Sequence, residues 1–197
     1  MKPAIKELMD DHQVILRMLR ALNGICLCLG EGKTVPLADL DAALDFIRTF
    51  ADYCHHGKEE DILFPAMGEA GFPTQGGPIA VMLMEHEQGR AYVKSLSAAL
   101  ERVRAGDAAA LKDVSRAASG YSALLAAHIG KEDNILYPMA MDALPEPRWA
   151  ELKTAFDKVE NERMGPKRRA EYAALVDRLM LAYPAPELVL PSGGMCH

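Results

Sequence analysis

Apolar residues recur at helical spacing in four long runs of the chain, and this pattern limits the fold more than any other feature of the sequence. In the first run the apolar stripe passes through Ile5, Leu8, His12, Ile15, Leu19, Leu22, Cys26 and Leu29. Glycine and proline separate the runs at GEGKTVP, GFPTQGGP, RAGD and LPEP. No strand pattern competes with them. Long amphipathic helices with short connections predict an all-α, up-down-up-down antiparallel four-helix bundle.

The other three runs show a similar spacing, and each of them also contains a histidine. The stripe of the third run is Ile79, Met82, His86, Gly89, Val93, Leu96, Leu100 and Val103. The stripe of the fourth run is Leu111, Val114, Ala118, Tyr121, Leu125, His128, Glu132, Ile135 and Met139. The second run is less regular, with Leu40, Leu44, Ile47, Ala51, His55, Glu59 and Ile62. We therefore expect ionisable side chains on the inward face of every helix.

One sequence element occurs twice in the chain. HHGKEEDILFP, at positions 55–65, comes back as HIGKEDNILYP at positions 128–138. Alignment of the two copies pairs His55 with His128 and Glu59 with Glu132, and each pair lies at i and i+4 on one helix face. His12 lies about nine residues into its helix, which is roughly 14 Å from one end of the bundle at ~1.5 Å per residue. The chain thus resembles two helical hairpins whose polar groups meet at one depth.

Buried imidazoles and carboxylates are costly unless they are paired, hydrogen-bonded or bound to a metal. The sequence therefore predicts a two-metal site with the ligands His12, His55, Glu59, His86, His128 and Glu132. We expect the first two histidines to bind one ion, the last two to bind the other, and both glutamates to bridge them. Nitrogen and oxygen donors without a thiolate favour iron, with manganese or zinc as alternatives. Positions left open would take water, hydroxide or a small diatomic ligand.

Three features beside the predicted ligands admit two interpretations each. His56 and Glu60 form a second His-x-x-x-Glu register, but Ile129 stands opposite His56 in the repeat, which disfavours it; Glu60 stays open as an extra ligand. Gly89 either leaves space for an exogenous ligand or allows close helix packing. Arg90 either brings a positive charge to a bound anion or peroxide, or forms a salt bridge at the rim of the bundle.

Other classes of metal site fit the sequence less well. HEQGR, at positions 86–90, lacks the second histidine that a zincin motif needs at Arg90. A ferritin-type site needs a glutamate three residues before a histidine on two helices. Asp52 holds that position before His55, but Leu125 holds it before His128. A metal-free bundle with ordinary core histidines is the remaining alternative.

Composition and charge limit the expected binding partners and the expected cellular compartment. A formal net charge of -6 leaves no basic stripe for nucleic acid or for an anionic membrane surface. The N-terminal segment has no signal-peptide pattern, so we expect a cytoplasmic protein with reduced cysteines. We expect the bundle over residues 1–144, a helical extension over 145–184 that packs outside it or mediates homodimer formation, and a flexible tail over 185–197. The Cys196-His197 pair in that tail is a weaker candidate for metal binding.

The residues resemble the hemerythrin-like (HHE cation-binding) family over about positions 5–142. The resemblance rests on a lone histidine in the first and third helices, on His-x-x-x-Glu in the second and fourth, and on KEEDILFP and KEDNILYP. It implies a non-haem di-iron centre, with an oxo or hydroxo bridge, at the six positions named above. It also implies a role linked to oxygen or nitric oxide in a bacterial cytoplasm.

One residue departs from the pattern of the oxygen-carrying members. They have a second histidine one turn after the first on the third helix, where this chain has Arg90. This departure argues against reversible oxygen carriage. The expected function is binding or reduction of oxygen, peroxide or nitric oxide, which would make the protein an oxidoreductase if it turns over. The alternatives are an iron or oxygen sensor without turnover and a structural helical interaction module.

Overall fold

The computed structural model describes residues 1–186, and they form helices joined by short turns, with no strand among them. The α-helices are α1 (Pro3–Gly30), α2 (Leu37–Phe46), α3 (Phe64–Glu69), α4 (Gly77–Arg104), α5 (Leu111–Lys131), α6 (Tyr137–Ala143), α7 (Glu146–Arg163) and α8 (Gly165–Ala182). The predicted all-α class is therefore confirmed. Residues 187–197, which include the Cys196-His197 pair, lie outside the described residues.

Three segments with π-helical hydrogen bonding continue the α-helices. Two of them lie between α2 and α3, and the third lies between α5 and α6. The three segments are Ile47–His56, Glu59–Leu63 and Glu132–Leu136. They contain His55 and Glu59 of the first His-x-x-x-Glu element and Glu132 of the second, whereas His128 lies in α5. Such wide turns recur at functional sites because they change which residues share a face. In this chain they occur where the sequence places its candidate ligands.

The π-helical turn after α5 overturns part of the predicted stripe. Ile135 and Met139 were expected to face inward, but 50% and 36% of their surface is exposed. Leu136 and Tyr137 are buried instead. A wider turn advances the inward face by about one residue, and a strict 3-4 spacing does not allow for that shift.

Helix packing places the candidate ligands between two apolar clusters. α5 lies against both α1 and α4, and the Ile47–His56 segment contacts both α1 and α4. One cluster includes Ile15 of α1 and Leu125 of α5, and the other includes Leu8 of α1 and Leu136 after α5. His12 and His128 fall between these clusters along the chain, so apolar layers separate the histidines from water on both sides.

α1 is the one helix in residues 1–186 that is long and apolar enough to cross a membrane, with 28 residues and a window of mean hydropathy 1.3. The core helix of a soluble protein meets the same criterion. In this structure one face of α1 is buried against α5, α7 and α8. Its apolar character therefore has an explanation inside the fold.

The C-terminal helices α7 and α8 are joined to the rest of the chain by a buried ion network. Lys58 is fully buried, and its ammonium lies 2.7 Å from Glu7, 3.2 Å from Asp11 and 2.8 Å from Glu160 of α7. Arg169 of α8 donates to Asp11 at 2.6 Å and to Glu160 at 2.5 Å. Burial alone would lower the pKa of the Lys58 ammonium, but the charge of Asp11 and the other carboxylates raises it, so this lysine stays charged.

We predict that Lys58→Met lowers the free energy of unfolding by about 3 kcal/mol, because it removes the fully buried cation of the network and leaves Asp11 and Glu160 to Arg169 alone. Urea denaturation followed by circular dichroism measures the change. The matched control is Lys158→Met, since the side chain of Lys158 is 73% exposed and lies 3.9 Å from its partner Glu162. That control should change stability by less than about 0.5 kcal/mol. Equal effects of the two substitutions would contradict a stabilising role for the network.

Candidate metal centre

The six residues predicted as ligands lie together in the polar layer, and His56 lies with them. All seven side chains are buried. Two groups of ligand atoms can be distinguished, and within each group the atoms lie within 4.8 Å of one another. The first half of the centre is His12, His55, Glu59 and Glu132, and the second half is His56, Glu59, His86 and His128. His12 and His55 lie in one half, and His86 and His128 lie in the other.

The two glutamates lie between the halves. Glu132 places one carboxylate oxygen 3.2 Å from Nε2 of His12 and the other 3.2 Å from Nε2 of His128. Glu59 places Oε2 3.8 Å from Nε2 of His55 and 3.6 Å from Nε2 of His86. Each carboxylate therefore reaches one histidine of each half, which is the arrangement that a bridging ligand needs.

Each of the five histidines turns its Nδ1 towards a carboxylate outside the centre. The Nδ1–oxygen pairs are His86–Glu60 at 2.6 Å, His12–Asp133 at 2.7 Å, His128–Glu85 at 2.9 Å, His56–Asp52 at 3.3 Å and His55–Asp11 at 3.5 Å. A carboxylate at Nδ1 holds the proton on that nitrogen and leaves the Nε2 lone pair available. Histidines that ligate metals in proteins are oriented by partners of this kind.

Several inner atoms of the centre have no hydrogen-bond partner within the protein. Nε2 of His86 lies 3.0 Å from Nε2 of His128, so one proton lies between the two rings when no cation is bound. Nε2 of His56 has no hydrogen-bond partner, and neither does Oε2 of Glu59. Both oxygens of Glu132 also lack a well-directed hydrogen bond, although each lies 3.2 Å from a histidine Nε2. Imidazole nitrogens and carboxylate oxygens buried together fit a bound cation, so the donor set of this site suits a metal.

Protonation shows how the residues share charge when no cation is bound. Burial lowers the pKa of His12, but its hydrogen bond to Asp133 and the nearby Glu132 carboxylate raise that pKa to about 9. Burial lowers the pKa of His128, but the charge and hydrogen bond of Glu132, together with Glu85 and Glu59, raise it to about 10. Burial lowers the pKa of His55 to about 4. Cation binding at His12 and His128 therefore has to displace protons.

The pKa values of Glu59 and Glu132 shift in opposite directions. Burial and then the charge of Glu132 hold the pKa of Glu59 well above its ordinary value. Glu132 is as deeply buried, but the charges of His128 and His12 hold its pKa well below its ordinary value. One carboxylate thus carries the negative charge of the cation-free centre, and the second ionises when cations supply the compensating charge.

His56 is the candidate ligand that sequence reasoning set aside. Its ring stacks on that of His86 at 3.9 Å between centroids, and it belongs to the second half of the centre. The repeat disfavoured it because Ile129 holds the equivalent position in the second copy. The Ile47–His56 segment is π-helical, so two successive histidines, His55 and His56, both reach the centre. The adjacent histidines in HHGKEED were the available signal.

Tyr137 is a second residue that the sequence did not single out. Its hydroxyl donates to Oε1 of Glu59 at 2.6 Å and lies 3.3 Å from Nε2 of His12. Its ring lies parallel to that of His12 at 5.5 Å. Phe64 holds the same place in the first copy of the repeat and stacks on His86 at 6.0 Å. The ILYP and ILFP ends of the two copies were the signal for this aromatic pair.

Glu60 and Arg90 belong to the layer outside the candidate ligands. Glu60, which was open as an extra ligand, accepts hydrogen bonds from Nδ1 of His86 and, at 2.8 Å, from Arg90. Arg90 also donates to Asp52 at 3.0 Å and to Glu87 at 2.6 Å. The salt-bridge interpretation of Arg90 is therefore the one that these contacts match.

Comparison with known proteins agrees with this geometry. The family model for the hemerythrin HHE cation binding domain matches residues 4–140. Uncharacterised proteins of Mycobacterium tuberculosis and Mycobacterium bovis are each 24% identical to the chain over 176 residues, which is 89% of this chain and 67% of the relative. No solved structure gives a significant match. The matched region contains every residue of both halves of the centre, and the chain belongs to the hemerythrin HHE cation-binding domain family.

Proposed function

We propose that the chain holds two iron ions in its buried centre and there binds or reduces oxygen, peroxide or nitric oxide. The observation that carries the proposal is the convergence of five histidine Nε2 atoms and two carboxylates, with each Nδ1 facing an outer carboxylate. The proposal includes an antiparallel four-helix bundle around the centre and a cytoplasmic location without a nucleic-acid or membrane partner. A homodimer formed through the C-terminal helices is also part of it.

The donor set supports iron over the alternatives. Imidazole and carboxylate suit iron, manganese and zinc, whereas no cysteine lies in either half of the centre. A closed structural zinc site takes four ligands, and seven residues around two positions exceed what one such site needs. Ferrous ions with open positions supply electrons to a small oxidant. We therefore propose iron, with manganese or zinc as the outcomes that would change the assignment.

The residues of the chain prepare the site before any ion binds. Asp133, Glu60 and Glu85 orient the rings of His12, His86 and His128 by accepting from their Nδ1 atoms. The two apolar clusters exclude water above and below the polar layer. Exclusion of water strengthens each electrostatic contact within the centre and protects reactive species formed there.

We predict about two irons per chain in protein purified without chelator, with a visible absorption band that bleaches on reduction. His12→Ala and His128→Ala should each remove metal, because each takes a nitrogen from a different half of the centre. Metal analysis measures the iron content of each protein. The visible spectrum after addition of oxygen, peroxide or nitric oxide shows which of these molecules binds to the centre. Circular dichroism checks that both variants remain helical. No iron, or a single zinc, would contradict the di-iron proposal.

We predict that Asp133→Asn weakens iron binding by about 10–100-fold, because the negative charge at Nδ1 of His12 is lost while the shape of the side chain is kept. Competition with a chelator of known affinity measures the change. Asp157→Asn is the matched control, since Asp157 pairs with Lys153 on the surface of α7 and its side chain is 56% exposed. Equal affinities of the two variants would show that Asp133 does not support the site.

A sensor without turnover is the second candidate function, and the buried ion network favours it. Asp11 lies 3.5 Å from Nδ1 of His55 and also accepts from Arg169 of α8. Lys58, next to Glu59 in the chain, lies 2.8 Å from Glu160 of α7. Metal binding that moves His55 or Glu59 would therefore act on the contacts that hold the C-terminal helices.

The sensor hypothesis predicts that removal of metal exposes residues 146–182 to limited proteolysis, while the metal-loaded protein protects them. Mass spectrometry of the fragments locates the cleavage sites in both forms. Arg169→Ala, which removes the contact between α8 and Asp11, should raise cleavage in both forms and reduce the difference between them. Identical protection of the two wild-type forms would contradict the sensor and leave the di-iron reaction as the function.

A further inference from the structure

A small cavity lies beside the second half of the centre. His56 and His86 line its inner side, and Gly89, Arg90 and Tyr121 line the rest. Its volume is about 10 Å³, which is close to the smallest space that holds one water-sized molecule. The cavity therefore has the size of a single small ligand and lies in contact with two candidate metal-binding histidines.

Two polar atoms around this cavity have no partner. Tyr121 is 3% exposed, and its hydroxyl makes no hydrogen bond in the structure. Nε2 of His56 is also unpaired. An unsatisfied buried hydroxyl costs about 1–3 kcal/mol, so a group left in this state calls for a ligand that pairs with it. The hydroxyl of Tyr121 is thus a free donor at the wall of a cavity that contacts His56.

Gly89 provides the space for this cavity, and helix packing does not require it. A Cβ built at Gly89 would lie 3.6 Å from Cε2 of Tyr121, which is ordinary van der Waals contact. Gly120 shows the opposite case, because a Cβ there would lie 2.4 Å from the ring of Tyr92. A glycine inside a helix costs about 1 kcal/mol relative to alanine. Close helix packing does not explain Gly89, because a Cβ would fit there. The contacts around Gly89 therefore favour the other interpretation, which is space for a ligand.

Arg90 separates the cavity from the protein surface. The cavity shares Arg48, Asp52, Arg90 and Val93 with an outer groove of about 460 Å³. The Arg90 side chain is 35% exposed and held by Asp52, Glu60 and Glu87. Since three carboxylates meet the single charge of Arg90, it has no charge left for a free anion. Arg48 also lines both spaces and Lys94 lines the groove, so the small volume of the cavity, and not the charge of the route, limits the ligand to a small molecule.

We propose that this cavity admits and holds one small molecule, of the size of dioxygen, nitric oxide or hydrogen peroxide, at the His56–His86 side of the centre. The Tyr121 hydroxyl donates a hydrogen bond to that molecule, Gly89 leaves room for it, and Arg90 closes the outer end. This inference rests on the proposed function, because it assigns the entry side and the ligand contact of that same centre.

Nitric oxide binding to the reduced, iron-loaded protein tests the proposal, with the rates followed by stopped-flow absorbance. Gly89→Ala should slow association by roughly tenfold, which corresponds to about 1.4 kcal/mol of added barrier. Arg90→Ala should speed association because it opens the outer end. Tyr121→Phe should speed dissociation by roughly two- to tenfold, the range expected for the loss of one hydrogen bond.

Matched controls separate this role from general effects on folding. Gly30→Ala adds the same methyl group at the end of α1, where nothing lies within 4 Å. Tyr53→Phe removes a hydroxyl from a tyrosine that is 57% exposed. Neither control should change the rates. Gly89→Ala should also raise the thermal unfolding midpoint, because alanine is the better helix former.

Metal analysis of every variant distinguishes failure of this proposal from failure of the proposed function. Variants that hold two irons but bind nitric oxide at the wild-type rates would overturn the entry route and leave the di-iron centre standing. Wild-type protein that takes up no iron would overturn both. Opposite changes in association for Gly89→Ala and Arg90→Ala, with iron content unchanged, would support the route.

Discussion

The burial of five imidazoles and two carboxylates in one layer is the constraint on which the rest of the structure depends. Such a layer is stable only if every polar atom is paired, protonated or bound to a cation. The outer carboxylates lie beside the Nδ1 atoms of the histidines. The pKa values of His12 and His128 are raised, so these two imidazoles are protonated and compensate the carboxylate charge when no cation is bound. Nε2 of His56 and Oε2 of Glu59 remain without a partner, and the convergence of the histidines and glutamates gives the layer two groups that could hold a cation. The two apolar clusters follow from the same constraint, because they keep water from competing for these atoms.

The two halves of the centre differ chiefly in what lies behind them. Behind the first half, Asp11 connects His55 with Arg169 of the C-terminal helices. Behind the second half, Glu60 connects His86 with Arg90 at the wall of the small cavity. The internal repeat contributes the same residue types, a histidine and a glutamate, from each of its two copies. The two halves therefore differ mainly in the residues that surround them. One side is suited to communication with α7 and α8, and the other is suited to the entry of a ligand.

The sequence predicted the inner residues because their spacing and their repetition are local properties of the chain. It did not predict His56, since a π-helical segment brings two successive residues to one centre and no 3-4 rule anticipates this. Four of the five outer carboxylates were not predicted as Nδ1 partners for another reason, which is that they serve histidines on other helices. Glu85 precedes His86 in the chain but accepts from His128, and Asp133 follows Glu132 but accepts from His12. Such pairings depend on the docking of whole helices.

The two copies of the repeat also differ in their aromatic residue, and this difference bears on where a small ligand binds. Tyr137 in the second copy already donates its hydroxyl to Glu59, at 2.6 Å, so it has no proton left for a ligand. Phe64 in the first copy stacks on His86 and has no hydroxyl to offer. The half of the centre beside Phe64 therefore depends on another element for a hydrogen-bond donor. Tyr121 of α5 lies at that half with its hydroxyl unpaired. The phenylalanine in place of tyrosine within the repeat and the unpaired hydroxyl on α5 thus both support the proposed ligand contact at the His56–His86 side of the centre.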